Sequence, residues 1–479
     1  MKLSILTFLV CVTCVSSSGY QCQGPIKISP PDDLTRTVYW PSIWNDSMPP
    51  IPIATQQNCK WEIAVPDGLY ATAVFYKNAK NNVAIAVGYP NGLQEGLDNM
   101  DYNPYIFTSP QFLINLYKSA GDGSFSFKVT WSKYPNVAHD TVQLLKNDKP
   151  FAMAPNTHLT TFNAETTVGL VAFTLRNQSH YPLLRQSAVY DGDSTSGAFI
   201  GTLYSIMMLE KEVVSSGKTL TVFTWGLLNE LFDYTLFMVQ DHANEPYANK
   251  YRGWNCYSDT ECSFQMIALT GTSVIATSDS RPEFIKSIGI FPSGATLKIY
   301  EGRIGNDSLV TTLTKANYQS RLPMELKNTI RQYVLDSGSL QIQLSRSSAD
   351  ANWNTVYNGR KGFVHSFYHG TNSNEQDTGE TLYTAGWTEQ LYFNYVVRDA
   401  DFTGNLTTLT VMILSKGQQV SLTVYNSKNL PPATTVSVQG DTYHIKYFTN
   451  GVNTTGFRID FSTTFTGYVT GTSVSDCYY

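Results

Sequence analysis

A three-part pattern of strand, tight turn and strand recurs along this chain in a fixed order. Ala188-Val-Tyr-Asp-Gly192 is followed by the Ser215–Thr224 segment, with its Ser-Gly turn, and then by Asp233–Val239. The next set is Lys298-Ile-Tyr-Glu-Gly302, Asp336–Leu344 and Gly362–Phe367. Looser sets begin at Ala86-Val-Gly-Tyr-Pro-Asn-Gly92 and at Thr423-Val-Tyr-Asn-Ser427. The marker tyrosines Tyr89, Tyr190, Tyr300 and Tyr425 stand 101, 110 and 125 residues apart. That is the size of one antiparallel sandwich, about 100 residues, and far above a solenoid repeat of about 20–50.

The local signals agree. Ser124–Trp131, Thr219–Thr224 and Ser339–Leu344 alternate apolar and polar residues as half-buried strands do, and Gly, Asn, Asp and Pro clusters punctuate them. Leu322–Leu335 suits a helix, with Pro323 in its first turn, or equally a strand through Thr329, Ile330 and Val334. The expectation is an all-β chain of four jelly-roll-type sandwiches at 19–135, 136–253, 254–372 and 373–479.

The first 18 residues read as an export signal: Lys2, an apolar run from Leu3 to Val15, then small residues. That run is too short to span a bilayer, and no later stretch reaches about 18 apolar residues. Sequons at Asn45, Asn177, Asn306, Asn405 and Asn453 fit a secreted, N-glycosylated product. An oxidising compartment makes disulfides the default for Cys22, Cys59, Cys256, Cys262 and Cys477. Cys22–Cys59 and Cys256–Cys262 are the preferred pairs, with Cys477 left over or joined to the second cluster or to another chain. Charged residues make up 15% of the chain and the net charge is −5, which argues against nucleic-acid or anionic-membrane partners.

Asn58-Cys-Lys-Trp-Glu-Ile63 followed by Val65-Pro-Asp-Gly68 resembles the opening of the CUB domain, Cys-x-Trp-x-Ile with a Pro-x-Gly turn. Cys22 stands where that family's first cysteine pairs with Cys59. The whole chain resembles the nematode CUB-like secreted proteins. The resemblance implies a non-catalytic secreted protein of pathogen-response defence that binds microbial or host surface glycans or proteins. A structural coat protein, disulfide-linked through Cys477, is the alternative. Many CUB domains hold calcium through an Asp six residues before the turn acid; here Arg185, Ala295 and Ile85 occupy that place. Calcium wants about six oxygen ligands, so no metal and no cofactor is expected.

Catalytic motifs fail on inspection. Gly192-Asp-Ser-Thr-Ser196 lacks the last glycine of a nucleophile elbow, so Ser194 is not a nucleophile. Ser216-Gly-Lys-Thr219 lacks the leading glycine of a phosphate loop, Glu212 standing there. Asp191, Asp193, Glu301 and Asp307 read as turn residues. His365 and His369, four apart on a strand, are expected about 13 Å from each other and not on one metal. No Cys-x2–4-Cys set suggests zinc. The best ligand-contact candidates are aromatic: Tyr39, Trp40 and Trp44, in a segment that Pro41 should hold extended.

Overall fold

A computed structural model of the chain describes residues 19–22, 24–79, 83–98, 101–154, 159–226, 231, 234–244, 248–256, 262–387 and 389–467. The expected signal segment and Cys477 lie outside these residues. Two compact units result, Met1–Asn136 and Val137–Tyr479.

In the first unit, alternation builds two sheets. The nine strands are β1 (Ile26–Ile28), β2 (Val38–Trp40), β3 (Gln57–Ala64), β4 (Leu69–Ala79), β5 (Val83–Gly88), β6 (Gln94–Gly96), β7 (Tyr105–Thr108), β8 (Gln111–Lys118) and β9 (Gly123–Lys133). One sheet has the order β1-β3-β8-β5-β6 and the other β2-β9-β4-β7. All neighbours are antiparallel except β1, which runs parallel to β3. Cys59, Trp61 and Ile63 of β3 point inward at every second position, and Trp61 meets Phe127 of β9 edge-on at 5.7 Å. The Cys22–Cys59 disulfide ties the start of the described chain to β3.

The second unit repeats this strand order three times. The counterparts of β3-β8-β5-β6 are Leu159–Ala164, Thr219–Thr224, Ser187–Asp191 and Ala198–Thr202 in the second sandwich. In the third they are Ser273–Ser278, Ile330–Leu335, Thr296–Glu301 and Leu309–Thr314. In the fourth they are Thr378–Thr384, Thr442–Phe448, Thr408–Ser415 and Gln418–Tyr425. Each copy again has a strand parallel to its β3 counterpart: His139–Leu144, Lys250–Trp254 and Thr355–Val356. The facing sheets follow the β2-β9-β4-β7 order as well. All four marker tyrosines are buried. In the second and third sandwiches a β-bulge sits immediately before the marker tyrosine, and the turn glycines Gly192 and Gly302 have φ of 120° and 100°, a region that favours glycine.

The ambiguous Leu322–Leu335 segment is β: Met324–Leu326 and Ile330–Leu335, after a 3-10 turn at Gln319–Arg321. Ile330 is buried and Val334 half-buried in the second of these strands, where sheet packing outweighs helix propensity. A seven-residue helix, Leu203–Leu209, interrupts the second sandwich; Thr202 and Ser205 cap it reciprocally and Leu203, Ile206 and Met207 are buried.

Two joints make the second unit continuous. Val168–Thr174 pairs in parallel with Lys250–Trp254, fusing one sheet of the second sandwich with one of the third. Any Cβ at Gly253 would sit 2.0 Å from the Phe173 ring, so this approach requires glycine. The third and fourth sandwiches share polar contacts, from the exposed rim of the joint to its interior. The Tyr357 hydroxyl donates to the carbonyls of Gln319 and Leu322, an Arg360 guanidinium N–H donates to the carbonyl of Pro323, and the Lys327 ammonium sits 2.7 Å from Glu380. Phe284 of the third sandwich packs into the core of the fourth. The second disulfide joins Cys256 to Cys262, the first residue of strand Cys262–Ala268 of the third sandwich.

Candidate functional site

The aromatic segment does not present its rings. Trp40 is 5% exposed, stacked on Phe127 at 5.5 Å and edge-on to Trp61 at 4.6 Å. Trp44 is 1% exposed, and its indole N–H donates to the carbonyls of Met48 and Pro49. Tyr39 is half-buried with its hydroxyl on Asp46. Neither the Trp40 nor the Trp44 ring is therefore open to a ligand; burying the two indoles stabilises the core instead. The chain is also not extended beyond Pro41, because the Trp44 amide donates back to the Pro41 carbonyl.

The positions that align with the CUB calcium aspartate hold core groups. Ile85 and Ala295 are buried, and Arg185 is buried with its guanidinium 4.7 Å above the Tyr204 ring. Asp191 ends strand Ser187–Asp191, just before the turn, and accepts from the Ser216 amide, and the Ser194 hydroxyl lies on that of Ser196. All five sequon asparagines are exposed. Asn45 and Asn177 each accept from the amide and hydroxyl of the serine two residues on.

Glu301 departs from the turn reading. It follows Tyr300 at the end of its strand, yet it is 7% exposed and accepts from the backbone amides of Lys327 and Asn328 at 2.5 and 3.1 Å. The loop at Lys327–Asn328 folds over it because those amides need an acceptor and the carboxylate supplies one.

His365 faces it. Strand Lys361–His365 ends at this residue, the chain turns, and Tyr368 takes a φ of 53°. The turn brings the His365 and His369 rings to 5.8 Å, where a continued strand would hold them about 13 Å apart. The His365 Nδ1 lies 2.8 Å from the Ser366 carbonyl, which can only accept, so Nδ1 carries the proton. The Nε2 atom is 3.3 Å from Glu301 Oε2 but not aligned as a hydrogen bond. While the imidazole is neutral, two acceptors therefore face each other. Burial pushes the His365 imidazole down to about 4, with Glu301 opposing. Burial works to raise Glu301, but His365, the two amides and Arg331 more than offset it and hold the carboxyl below its ordinary value. His369 pairs with Asp399 at 2.7 Å.

These residues line a cavity of about 520 Å³ where the second, third and fourth sandwiches meet. Asn147, Asp148 and Lys149 come from the second sandwich. Glu301, Arg303, Asp307 and Asn328 come from the third, and His365, His369, Asn372 and Arg458 from the fourth. Arg303 is tied to Asp307 at 2.6 Å, and Arg458 donates to the Val310 carbonyl at 3.1 Å. Amides, carboxylates and cations converge here. Such a lining suits a ligand with many hydroxyl or amide groups. Among the described residues, no group of three His, Cys, Asp or Glu is placed to hold a metal ion.

Sequence reading singled out Glu301, Asp307, His365 and His369 and missed the other cavity residues, which come from turns and strand ends in separate sandwiches with no shared motif.

Residues 17–135 match the family model of the CUB-like domain. This CUB-like sandwich is followed by matches at 143–225 and 247–347 to models described as domains of unknown function, DUF7592 and DUF7591. The CUB-like fold is typically extracellular and non-catalytic, a setting that the two disulfides fit. No curated protein matches the chain. Among solved structures, the CUB1-EGF-CUB2 fragment of rat MASP-1 aligns at 8% identity over 45% of this chain and 99% of that one, with a TM-score of 0.19. The CUB1-EGF-CUB2 domain of human MASP-1/3 aligns at 9% identity over 43% and 97%, with a TM-score of 0.17. PliG of Aeromonas hydrophila, a periplasmic inhibitor of g-type lysozyme, aligns at 9% identity over 22% and 97%, with a TM-score of 0.15. Likeness at this level carries nothing about function. No helix among the described residues is long and apolar enough to cross a membrane.

Proposed function

We propose that this chain is a secreted, N-glycosylated, non-catalytic binding protein that recognises a surface glycan or protein of microbial or host origin, acting in defence against pathogens. The observation that carries the reading is the polar cavity at the three-sandwich junction. Its side chains offer donors and acceptors from several directions, as recognition of a polyhydroxylated or peptide ligand needs, and the surrounding sandwiches hold them rigidly. The exposed sequons and the two disulfides support the extracellular setting. The defence role rests on the resemblance to the nematode CUB-like proteins. The reading of the second to fourth sandwiches as CUB-like copies rests on their common strand order.

The test is binding of the full glycosylated chain to an oligosaccharide and peptide panel, beside His369→Ala and Asn372→Ala. Both residues line the cavity and neither is fully buried. Saturable binding to at least one panel member, weakened about ten-fold by either substitution, is expected for the loss of one ligand hydrogen bond. Binding that neither substitution weakens removes the cavity from the account.

A further inference from the structure

A second, larger cleft of about 870 Å³ opens between the outer faces of the third and fourth sandwiches. One wall is the outward row of strands Thr296–Glu301 and Leu309–Thr314, including Thr296, Lys298, Thr312 and Thr314. The other includes Arg458, Asp460 and Ser462, every second residue of strand Phe457–Thr464, the row that the burial alternation turns away from the core. Lys298, Arg321, Lys361, Arg398 and Arg458 line the cleft, and Asp460 is its one acidic residue. Asp460 is already engaged by Arg398 at 2.7 Å and Arg458 at 2.9 Å.

The imbalance runs against the chain as a whole, whose net charge is −5. Lys298, Lys361 and Arg321 have no carboxylate partner among the described residues, and the Arg321 Nε is buried without a hydrogen bond. Cations held side by side in a concave site are mutually repulsive. They become favourable when a ligand brings the opposite charge, and concave walls focus that field. The third sandwich adds hydroxyl and amide groups through its threonines, Asn306 and Asn317, and the fourth adds the hydroxyls of Thr435 and Ser462; Leu309, Val310 and Val396 are apolar lining, and Asn394 is buried with its amide on Thr464 and Ser437. The rings that line it, Tyr395 and Phe461, are buried among core residues and offer no open face for stacking bases.

We propose that this cleft binds an acidic oligosaccharide, with sulfate or uronate groups paired to the lysines and arginines and sugar hydroxyls on the threonine and serine hydroxyls of the two walls. This extends the binding function to a second site. It rests on that reading only in taking the chain to meet extracellular carbohydrate.

The test is equilibrium binding of the full chain to a sulfated oligosaccharide, a uronate-only one, a neutral one of equal length and a single-stranded oligonucleotide, at two salt concentrations. Because Asn306 also lines the cleft, the wild type and Asn306→Gln are both measured, and binding by either form counts. Saturable binding of at least one acidic oligosaccharide is expected, weakening several-fold between about 50 and 200 mM salt, with little binding of the neutral chain. Lys298→Glu and Lys361→Glu, both exposed, should each weaken it at least about five-fold. Lys60→Glu in the first unit should leave it unchanged. His369→Ala, which touches only the other cavity, should also leave it unchanged, so failure of one site is distinguishable from failure of the other. Absence of acidic-oligosaccharide binding, binding indifferent to the lysine reversals, or equal binding of the oligonucleotide overturns the proposal.

Discussion

Nε2 of His365 lies 3.3 Å from Oε2 of Glu301, and both side chains are enclosed where three sandwiches meet. The imidazole is kept neutral by burial, at about 4, below its ordinary 6.5. The unfolded chain therefore takes up this proton first as the pH falls. The stability gained by a neutral His365 is whole above about pH 6.5 and is lost progressively towards pH 4. Glu301, held below its ordinary value, adds a loss of the same sign at the acidic end. At about 1.4 kcal/mol per unit, His365 alone should cost the second unit about 2–3 kcal/mol between pH 7 and 4.5. Denaturation midpoints at the two pH values, with His365→Asn as the shallower comparison, check this; an equal slope in the variant contradicts it.

Lys327 is buried between Glu325 at 3.3 Å and Glu380 at 2.7 Å, at the joint of the third and fourth sandwiches. Burial pushes Glu325 up to about 8 even with that cation beside it. At neutral pH Glu325 is therefore protonated, so Lys327→Met leaves the enclosed Glu380 carboxylate without its partner and should cost about 3–5 kcal/mol. Adding Glu380→Gln should recover part of the loss, as measured by thermal unfolding of the single and double variants.

The Cys22–Cys59 bridge closes a loop with a sequence separation of 37. Loop-closure entropy for that length gives about 4 kcal/mol of stabilisation. Cys22→Ala with Cys59→Ala should lower the melting temperature of the first unit, and reductant should do the same to the wild type but not to the double variant.

Trp40 and Tyr39 are adjacent, yet they should behave differently. Trp40→Ala opens the core against Trp61 and Phe127 and should cost about 3–5 kcal/mol. Tyr39→Ala loses a rim contact and should cost about 1 kcal/mol or less. Chemical denaturation of the two variants checks the contrast.

The strands and their fourfold order were legible because alternation with a period of two and a glycine-bearing turn are local properties. The Tyr190-Asp-Gly192 and Tyr300-Glu-Gly302 turns could be read directly, since positive φ selects glycine whatever the surroundings. Burial was not legible in the same way. Trp40 and Trp44 have the same composition whether they sit in a core or on a rim; the register of β2 against β9 buries Trp40, and the turn that returns the Trp44 amide to Pro41 places Trp44. His365 and His369 stand closer than a continued strand would place them because the sheet pairing stops at His365, opposite Arg458, and the chain folds back. Glu301 reads as a turn acid in sequence because nothing in its neighbourhood announces Asn328 or His365, which other parts of the fold bring to it.

The most direct test of the account is capture of the purified, glycosylated chain by intact bacteria and by isolated host surface material, with and without EDTA. Saturable binding that survives EDTA and falls about ten-fold in His369→Ala or in Lys298→Glu is the expected result, since neither the cavity nor the cleft groups acidic residues in the way a calcium site needs. Binding abolished by EDTA, or no binding to either material, would contradict a metal-independent recognition protein.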